Sequence, residues 1–185
     1  MKYSIDKLLE RQNDFLFFWG HQPSKDGSIT KTCFSQWWMS SFNVDGIEYK
    51  SAEHFMMAKK AELFDDFEAR NKIINANSPA DVKKLGREVK DYNDTIWTEN
   101  RYEIVKEGNF HKFNQNPDLK KFLLSTDEKV LVEASPVDPI WGIGMASDNE
   151  NCNNPEEWKG LNLLGFALME VRDELKIKLK NNERY

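Results

Sequence analysis

Residues 51–60, which read SAEHFMMAKK, combine a carboxylate and an amine at a spacing that could do chemistry. Ser51 is a favourable helix cap, and Glu53 stands in the first turn, where the helix dipole favours an anion. Glu53 and Lys60 are two turns apart, so their side chains point the same way within about 20°. Met56 and Met57 flank the line between them. The stretch predicts a helix with an acid and an amine on one apolar strip.

Glu53 and Lys60 also have an ordinary structural interpretation. A glutamate in a first turn is commonly a surface residue favoured by the dipole, and a lysine near a helix end commonly extends its ammonium group to water. The spacing alone leaves both interpretations open, so the function depends on the rest of the chain.

The composition is that of a soluble globular protein. The chain has 185 residues, 39% hydrophobic and 31% charged, which fits a single domain over residues 1–185 with a sizeable core. The apolar runs are too short to span a bilayer, and residues 1–6 lack the apolar segment of a secretory signal. We therefore expect a cytoplasmic protein with no membrane partner, and the oligomeric state stays open.

The cysteines and histidines give no metal or redox motif. Cys33 and Cys152 are far apart and outside any CxxC spacing, which favours reduced structural thiols. His21, His54 and His111 are equally scattered. No Walker loop, GxGxxG fingerprint, GxSxG elbow or HExxH is present. We expect no metal and no cofactor.

The net charge of −5, with a pI near 5.3, argues against broad binding to a nucleic-acid backbone. A phosphate-bearing ligand would need a local basic site. The candidates are Lys59 with Lys60, residues 83–90, and Arg101 with Lys106. Each of these is also typical of a solvated helix face.

Apolar periodicity and turn residues predict the order of the elements. A short helix (4–13) precedes an apolar strand (15–20) that should place Phe18 and Trp19 in the core. Asp45-Gly46 predicts a tight hairpin leading into the Ser51 helix. The other expected elements are helices at 69–76, from Ser78-Pro79, at 95–113 with Ile96 and Trp97 facing inward, and after Pro117; a strand at 129–134; irregular chain to 158; and a last helix capped by Asn162, frayed from 181.

Two aromatic regions are candidates for a ligand site. Trp37 and Trp38 are adjacent and difficult to bury together, so one of them could line a pocket. The loop at 135–144 combines Trp141 with two glycines beside Asp138, and such loops let a ligand approach backbone amides and an indole face.

Several motifs, in one order, resemble those of the NADAR family, which includes the YbiA-type N-glycosidases. The motifs are Asp45-Gly46, the 51–60 stretch, Gly86-Arg87, Trp97, Lys112-Phe113, residues 131–135, residues 138–144, residues 162–165 and residues 168–172. The resemblance runs from about residue 15 to 175. It implies a predominantly helical α+β fold with a small β-sheet.

The resemblance also implies an enzyme that hydrolyses an N-glycosidic bond between ribose C1 and the amine of a guanine-like base. Some members act on early riboflavin-pathway intermediates, and others remove ADP-ribose from guanine in nucleic acid. The partner is therefore an ADP-ribose-containing or ribosylated-base substrate, with ADP-ribosylated DNA or RNA as one form of it. ADP-ribosylated guanine, in nucleic acid or nucleotide, is the leading candidate.

The resemblance implies that Lys60 forms a Schiff base with ribose C1 of the substrate, a step that requires a neutral amine. Glu53 would shuttle protons or anchor ribose hydroxyls, and Asp138 could do either; an alternative uses these two carboxylates as an ordinary acid/base pair. The substrate-binding candidates are Trp19, Gly20, Trp38, Arg87, Trp97, Arg101, Trp141, Gly142, Gly144 and Asn162.

The 51–60 stretch departs from the family in one respect. Many members have Tyr-Phe-Gln where this chain has Phe55-Met56-Met57, so an amide that could contact substrate is missing. Two further function classes stay open: a noncatalytic ADP-ribose-binding module, and an interaction protein that exposes Trp38 and Trp141 to a partner.

Overall fold

The computed structural model describes residues 1–10 and 12–182, and the predicted fraying beyond them lies partly outside this range. Its α-helices are α1 (Ile5–Leu9), α2 (Ala52–Leu63), α3 (Phe67–Asn75), α4 (Pro79–Arg87), α5 (Asp94–Gln115), α6 (Pro117–Leu124) and α7 (Leu163–Asn182). Its strands are β1 (Phe15–Phe18), β2 (Met39–Val44), β3 (Ile47–Ser51) and β4 (Val130–Glu133). The predicted α+β, predominantly helical class is confirmed. None of the helices in these ranges is long and apolar enough to cross a membrane.

The contacts divide the chain into two compact units. The continuous unit is Gln36–Asn116, and the discontinuous unit combines Met1–Ser35 with Pro117–Tyr185. The strands are likewise split, since β2 pairs with β3 and β1 pairs with β4 in separate two-stranded sheets. A single functional domain over the whole chain stays a prediction.

The discontinuous unit is built on the parallel pair β1–β4, in which Phe15 faces Val130 and Phe18 faces Glu133. Helix α7 packs on β4, and Gly165 permits this approach because a Cβ there would lie 2.1 Å from the Leu131 carbonyl oxygen. Such a contact is too short for any side chain, so the glycine fixes how closely helix and strand pack.

The continuous unit begins with the antiparallel hairpin β2–β3. Asp45 and Gly46 both have positive φ, 51° and 81°, as in a two-residue hairpin turn whose twist matches that of the flanking strands. Strand β3 ends at Ser51, whose Oγ accepts from the His54 N–H and begins α2. The predicted hairpin and helix cap are both confirmed.

Helix α2 is the centre of the continuous unit, with α3, α4 and α5 packed against it. All residues from Ala52 to Ala58 are buried, so the helix is covered almost all round rather than on one face. Helix α5 approaches at Gly108, where a Cβ would lie 2.6 Å from the Phe55 ring. Glycine is unfavourable in the middle of a helix, but at this position it makes the packing possible.

Two side chains predicted to be inward are exposed. Trp19 is 56% exposed because it follows Phe18, the last paired residue of β1. Ile96 is 42% exposed, since it lies about 100° around α5 from Trp97, which begins the buried stripe. These two predictions of core positions were wrong.

Candidate active site

Lys60 lies in a cup formed by α4 and the start of α5. Its Nζ donates to the Gly86 carbonyl oxygen at 2.7 Å. The same nitrogen lies 4.3 Å from the centroid of the Tyr92 ring and 5.7 Å from that of Trp97. The side chain is half-buried, so the amine is held and still reachable.

Burial lowers the pKa of the Lys60 amine, and the nearby negative charge of Asp94 opposes that shift. A lower pKa increases the fraction of neutral amine at a given pH, and only the neutral amine is a nucleophile. The cup therefore favours the protonation state that carbonyl chemistry needs.

Three residues outside the predicted site build this cup. Gly86 is in the last turn of α4, where a Cβ would lie 2.1 Å from the Met57 sulfur, so only glycine leaves its carbonyl at this place without a shift of Met57. Tyr92 packs edge-on against Phe64, with ring centroids 5.4 Å apart. The Tyr92 hydroxyl donates to Asp94 Oδ1 at 2.7 Å. Tyr92 and Asp94 were missed because helical spacing does not link them to Lys60.

Glu53 is buried, with 4% of its surface exposed, so the interpretation of a solvated first-turn glutamate was wrong. Its backbone N–H donates to the Gln36 carbonyl oxygen at 2.9 Å. A carboxylate at this depth needs polar partners and is shielded from bulk water, as a proton-transfer group would be.

His54 is fully buried beside Glu53 and serves the architecture. Its Nε2 donates to the Ala76 carbonyl oxygen at 3.2 Å, so Nδ1 is the acceptor for the Ser51 hydroxyl at 2.7 Å. Burial lowers the pKa of this imidazole, which keeps it neutral.

A buried amide pair lies next to α2, where the family's glutamine is missing from this chain. Gln36 Oε1 accepts from Asn109 Nδ2 at 2.7 Å, and Gln36 Nε2 lies 4.0 Å from the Met56 sulfur. Asn109 Nδ2 also donates to the Val105 carbonyl oxygen. Nothing in the sequence signals this pair, since Gln36 lies in a loop and Asn109 in the middle of a helix.

The other candidates of the continuous unit differ in accessibility. Trp97 is 8% exposed, so its ring is both core and a wall of the Lys60 cup. Trp38 is 9% exposed, which removes the exposed indole that the interaction-protein alternative needs there. Arg87 is exposed at the end of α4, and Arg101 is half-buried on α5.

In the discontinuous unit, Asp138 orders the loop that contains Trp141. Asp138 Oδ1 accepts from the backbone N–H groups of Ile140 at 2.9 Å and Trp141 at 2.8 Å. The Trp141 side chain is half-buried. At least one oxygen of this carboxylate therefore stabilises a turn, which is a structural role beside any catalytic one.

Backbone packing explains the two glycines of this loop. A Cβ on Gly142 would lie 2.7 Å from the Glu133 carbonyl oxygen, and Gly144 has a φ of 66° with Lys159 3.0 Å away. Gly142 is buried, and its carbonyl accepts from the Asn162 N–H. Close chain packing therefore requires these glycines whether or not a phosphate binds there.

Asn162 precedes α7 but its side chain does not cap the helix. It is fully buried with a φ of 52°; Nδ2 donates to the Leu131 carbonyl, and Oδ1 accepts from the Glu133 N–H, each at 3.0 Å. The predicted side-chain cap was wrong, because both amide groups bind β4 instead. Trp19 and Gly20, just after β1, are exposed.

The possible metal ligands can be checked over the described part of the chain. Across residues 1–10 and 12–182, no group of three or more His, Cys, Asp and Glu residues is placed to hold an ion. Cys33 and Cys152 are buried and are not joined in a disulfide, as predicted.

Comparison with known proteins identifies the family. N-glycosidase R617 of Acanthamoeba polyphaga mimivirus is 45% identical over 86% of this chain and 95% of its own length. N-glycosidase YbiA of Escherichia coli is 30% identical over 78% of this chain and 80% of its own length. The NMR structure of E. coli YbiA matches with a TM-score of 0.72 and 27% identity, over 91% of this chain and 88% of that one. The model of the NADAR domain matches residues 17–176, and the chain belongs to this family.

Proposed function

We propose that this protein hydrolyses the N-glycosidic bond between ribose C1 and the amine of a guanine-like base, with Lys60 as the nucleophile. The observation that carries the proposal is the half-buried Lys60 amine, held by the Gly86 carbonyl between two aromatic rings. The class, a hydrolase acting on N-glycosyl bonds, is that of the relatives named N-glycosidase.

The reaction balances with water as the only co-reactant. The substrate's ribosylamine opens to an imine, and the neutral Lys60 amine attacks C1 to form a C–N bond. The base amine leaves with the electron pair of its C–N bond and takes up a proton, for which the proposed donor is the buried carboxyl group of Glu53. Water then adds to the lysine imine, and cleavage of the Lys60–C1 bond returns the free amine and a ribose aldehyde.

The favoured substrate is ADP-ribosylated guanine, in nucleic acid or as a nucleotide. Its diphosphate requires cations, and α4 carries the exposed side chains of Lys83, Lys84 and Arg87 on the helix whose Gly86 carbonyl holds Lys60. The Lys83 Nζ lies 5.7 Å from the Trp37 ring, so an indole also lies beside this charge. A riboflavin-pathway ribosylaminopyrimidine phosphate is the second candidate, because it shares the ribosylamine chemistry.

An acid/base route through Glu53 and Asp138 is the alternative mechanism. It would use no lysine adduct and would pass through an oxocarbenium-like state. The bonds that Asp138 makes to two backbone amides favour a structural role for at least one of its oxygens. The covalent route is therefore the one we propose.

The test compares wild type, Lys60→Ala and Lys59→Ala on an ADP-ribosylated guanine oligonucleotide and a ribosylaminopyrimidine phosphate. Lys59 is the matched control, because it precedes Lys60 on α2 but its Nζ pairs with Glu62 at 2.8 Å. We expect Lys60→Ala to lose at least 10³-fold in kcat, of the order expected for removing a covalent nucleophile (roughly 10³–10⁶). Lys59→Ala should keep most activity.

Borohydride added during turnover should trap an adduct on Lys60, identified by peptide mass spectrometry. Turnover without a trapped adduct, or turnover by Lys60→Ala, would replace the covalent route by the carboxylate pair. Binding of ADP-ribose without release from either substrate would favour the noncatalytic binding module.

A further inference from the structure

Tyr92 lies closer to the Lys60 amine than any other ring described above. Its centroid is 4.3 Å from Nζ, against 5.7 Å for Trp97. Tyr92 is also 43% exposed, so one part of its ring contacts the lysine while another part is open to solvent. A ring so placed limits where the amine can move.

Two contacts hold the Tyr92 ring in this position. The hydroxyl donates to Asp94 Oδ1 at 2.7 Å, and the ring edge packs against Phe64. Asp94 is the first residue of α5, after the Asn93 cap, so its position is fixed by a helix end. The tyrosine is therefore anchored at its tip and at its edge.

This arrangement constrains the direction in which the amine can react. In the neutral amine, one N–H is used by the Gly86 carbonyl, and the carbon chain occupies a second tetrahedral direction. The other N–H and the lone pair occupy the remaining two tetrahedral directions around Nζ. Because aromatic rings flank Nζ, the lone pair is directed to the part of the cup that the rings leave open.

We propose that Tyr92 is a positioning residue for Lys60, that its hydroxyl bond to Asp94 fixes it, and that Asp94, which anchors the ring, is also a charged group that acts on the amine. The inference rests on the proposed function, since it assigns these residues to the same reaction.

In the part of the chain that the structure describes, the groups around Lys60 come from α4, from the loop before α5 and from α5, which also supplies the Trp97 ring. The loop before α5 supplies Tyr92, the first turn of α5 supplies Asp94, and α4 supplies the uncharged Gly86 carbonyl. Arg70 of α3 is paired with Glu62 of α2. Asp94 is thus the charge whose removal should be felt at the amine.

Asp94→Asn separates charge from anchoring, because the amide oxygen can still accept from Tyr92. Asp94 raises the pKa of Lys60, so neutralising Asp94 should lower that pKa further and move the rising limb of the kcat–pH profile to lower pH.

Tyr92→Phe keeps the ring and loses the hydroxyl bond to Asp94, and Tyr92→Leu loses the ring. We expect kcat to fall about tenfold in Tyr92→Phe and about a hundredfold in Tyr92→Leu, with KM changed less than threefold in each.

The matched control is Tyr3→Phe, because Tyr3 also donates to an aspartate, Asp173, at 2.7 Å, within the discontinuous unit. It should leave kcat and its pH profile unchanged. A full kcat in Tyr92→Leu, or an unmoved profile in Asp94→Asn, would overturn the inference.

A second readout needs no natural substrate. Reductive methylation by formaldehyde and cyanoborohydride, read at Lys60 by mass spectrometry against pH, reports the neutral amine directly. Asp94→Asn should shift the midpoint to lower pH, and Tyr92→Leu should change the rate at Lys60 but not at Lys25, a lysine of an exposed loop. If these shifts occur without turnover of either substrate, the proposed function fails, while the positioning of the Lys60 amine by Tyr92 and the effect of Asp94 on it stand. Unchanged labelling in both variants overturns the inference alone.

Discussion

At the scale of single residues, burial changes the protonation of two basic side chains on α2. Burial lowers the pKa of Lys60, which raises the fraction of neutral amine at a given pH, and burial likewise lowers the pKa of His54, which favours the neutral imidazole. In the proposed reaction the shift at Lys60 would serve chemistry, whereas the shift at His54 affects stability.

His54 should make the free energy of unfolding depend on pH. Its pKa is lowered in the folded state, so the folded protein binds fewer protons than the unfolded chain near that pKa. The stabilisation is complete above about pH 6.5, the unfolded value, and is lost as pH falls through the folded pKa, at about 1.4 kcal/mol per unit of depression. Urea denaturation between pH 7.5 and 5.5 measures it.

In His54→Gln this part of the pH dependence should disappear, although the variant is less stable at every pH because the Ser51 and Ala76 bonds are altered. An equal slope in the variant and in wild type would assign the pH dependence to other groups.

The sequence placed the two catalytic candidates, Glu53 and Lys60, on one helix but did not predict the surroundings of Lys60. The spacing of Glu53 and Lys60 on one helix follows from local chain geometry, so it was visible in residues 51–60. The Lys60 cup also needs Gly86, Tyr92 and Asp94, which tertiary packing brings to the lysine. The one signal available was the aromatic Tyr92 immediately before Asn93, the cap of α5.

At the scale of elements, α2 and α5 pack as closely as Gly108 allows. Gly108→Ala should destabilise the protein by about 1–3 kcal/mol through overpacking, since the buried Phe55 ring cannot move away. This cost opposes the gain of up to about 1 kcal/mol that alanine brings to a helix.

Thr98→Ala is the control, an exposed position on the same helix where alanine adds helix propensity and meets no ring. Thermal and urea unfolding of both variants measure the difference. A Gly108→Ala protein as stable as Thr98→Ala would mean that the helices separate at little cost.

Elements set by local signals were predicted, and pairings between distant segments were not. The Asp45-Gly46 turn, the Ser51 cap and the Ser78-Pro79 helix start each depend on a few neighbouring residues. The pairing of β1 with β4 depends on the fold of everything between them, and so does the use of the Asn162 amide on β4 rather than on α7. Local residue propensities predict neither the strand pairing nor the Asn162 contacts.

At the scale of the whole molecule, the net charge of −5 argues against many contacts with nucleic-acid phosphates, so the affinity for a polymer should depend only weakly on salt. The exposed positive charges on α4, the helix whose Gly86 carbonyl binds Lys60, are those of Lys83, Lys84 and Arg87. At about 0.7 per phosphate for a single strand, three contacts give a slope of log affinity against log salt of about −2. Binding of an ADP-ribosylated oligonucleotide to Lys60→Ala at several salt concentrations measures it.

Arg87→Glu should make that slope shallower, whereas Lys25→Glu, with the same charge change in an exposed loop of the discontinuous unit, should leave it unchanged. A steep slope that neither variant alters would place the nucleic acid on another surface.

The discontinuous unit also fixes an order of events during synthesis. Strand β1 is made early, but its partner β4 lies beyond the complete sequence of the continuous unit, Gln36–Asn116. A ribosome therefore releases every residue of the Lys60 cup before the β1–β4 pair can exist, and the closure of the long loop between these strands comes late. In a nascent chain, the unit that contains Lys60 is thus the first of the two units that can fold.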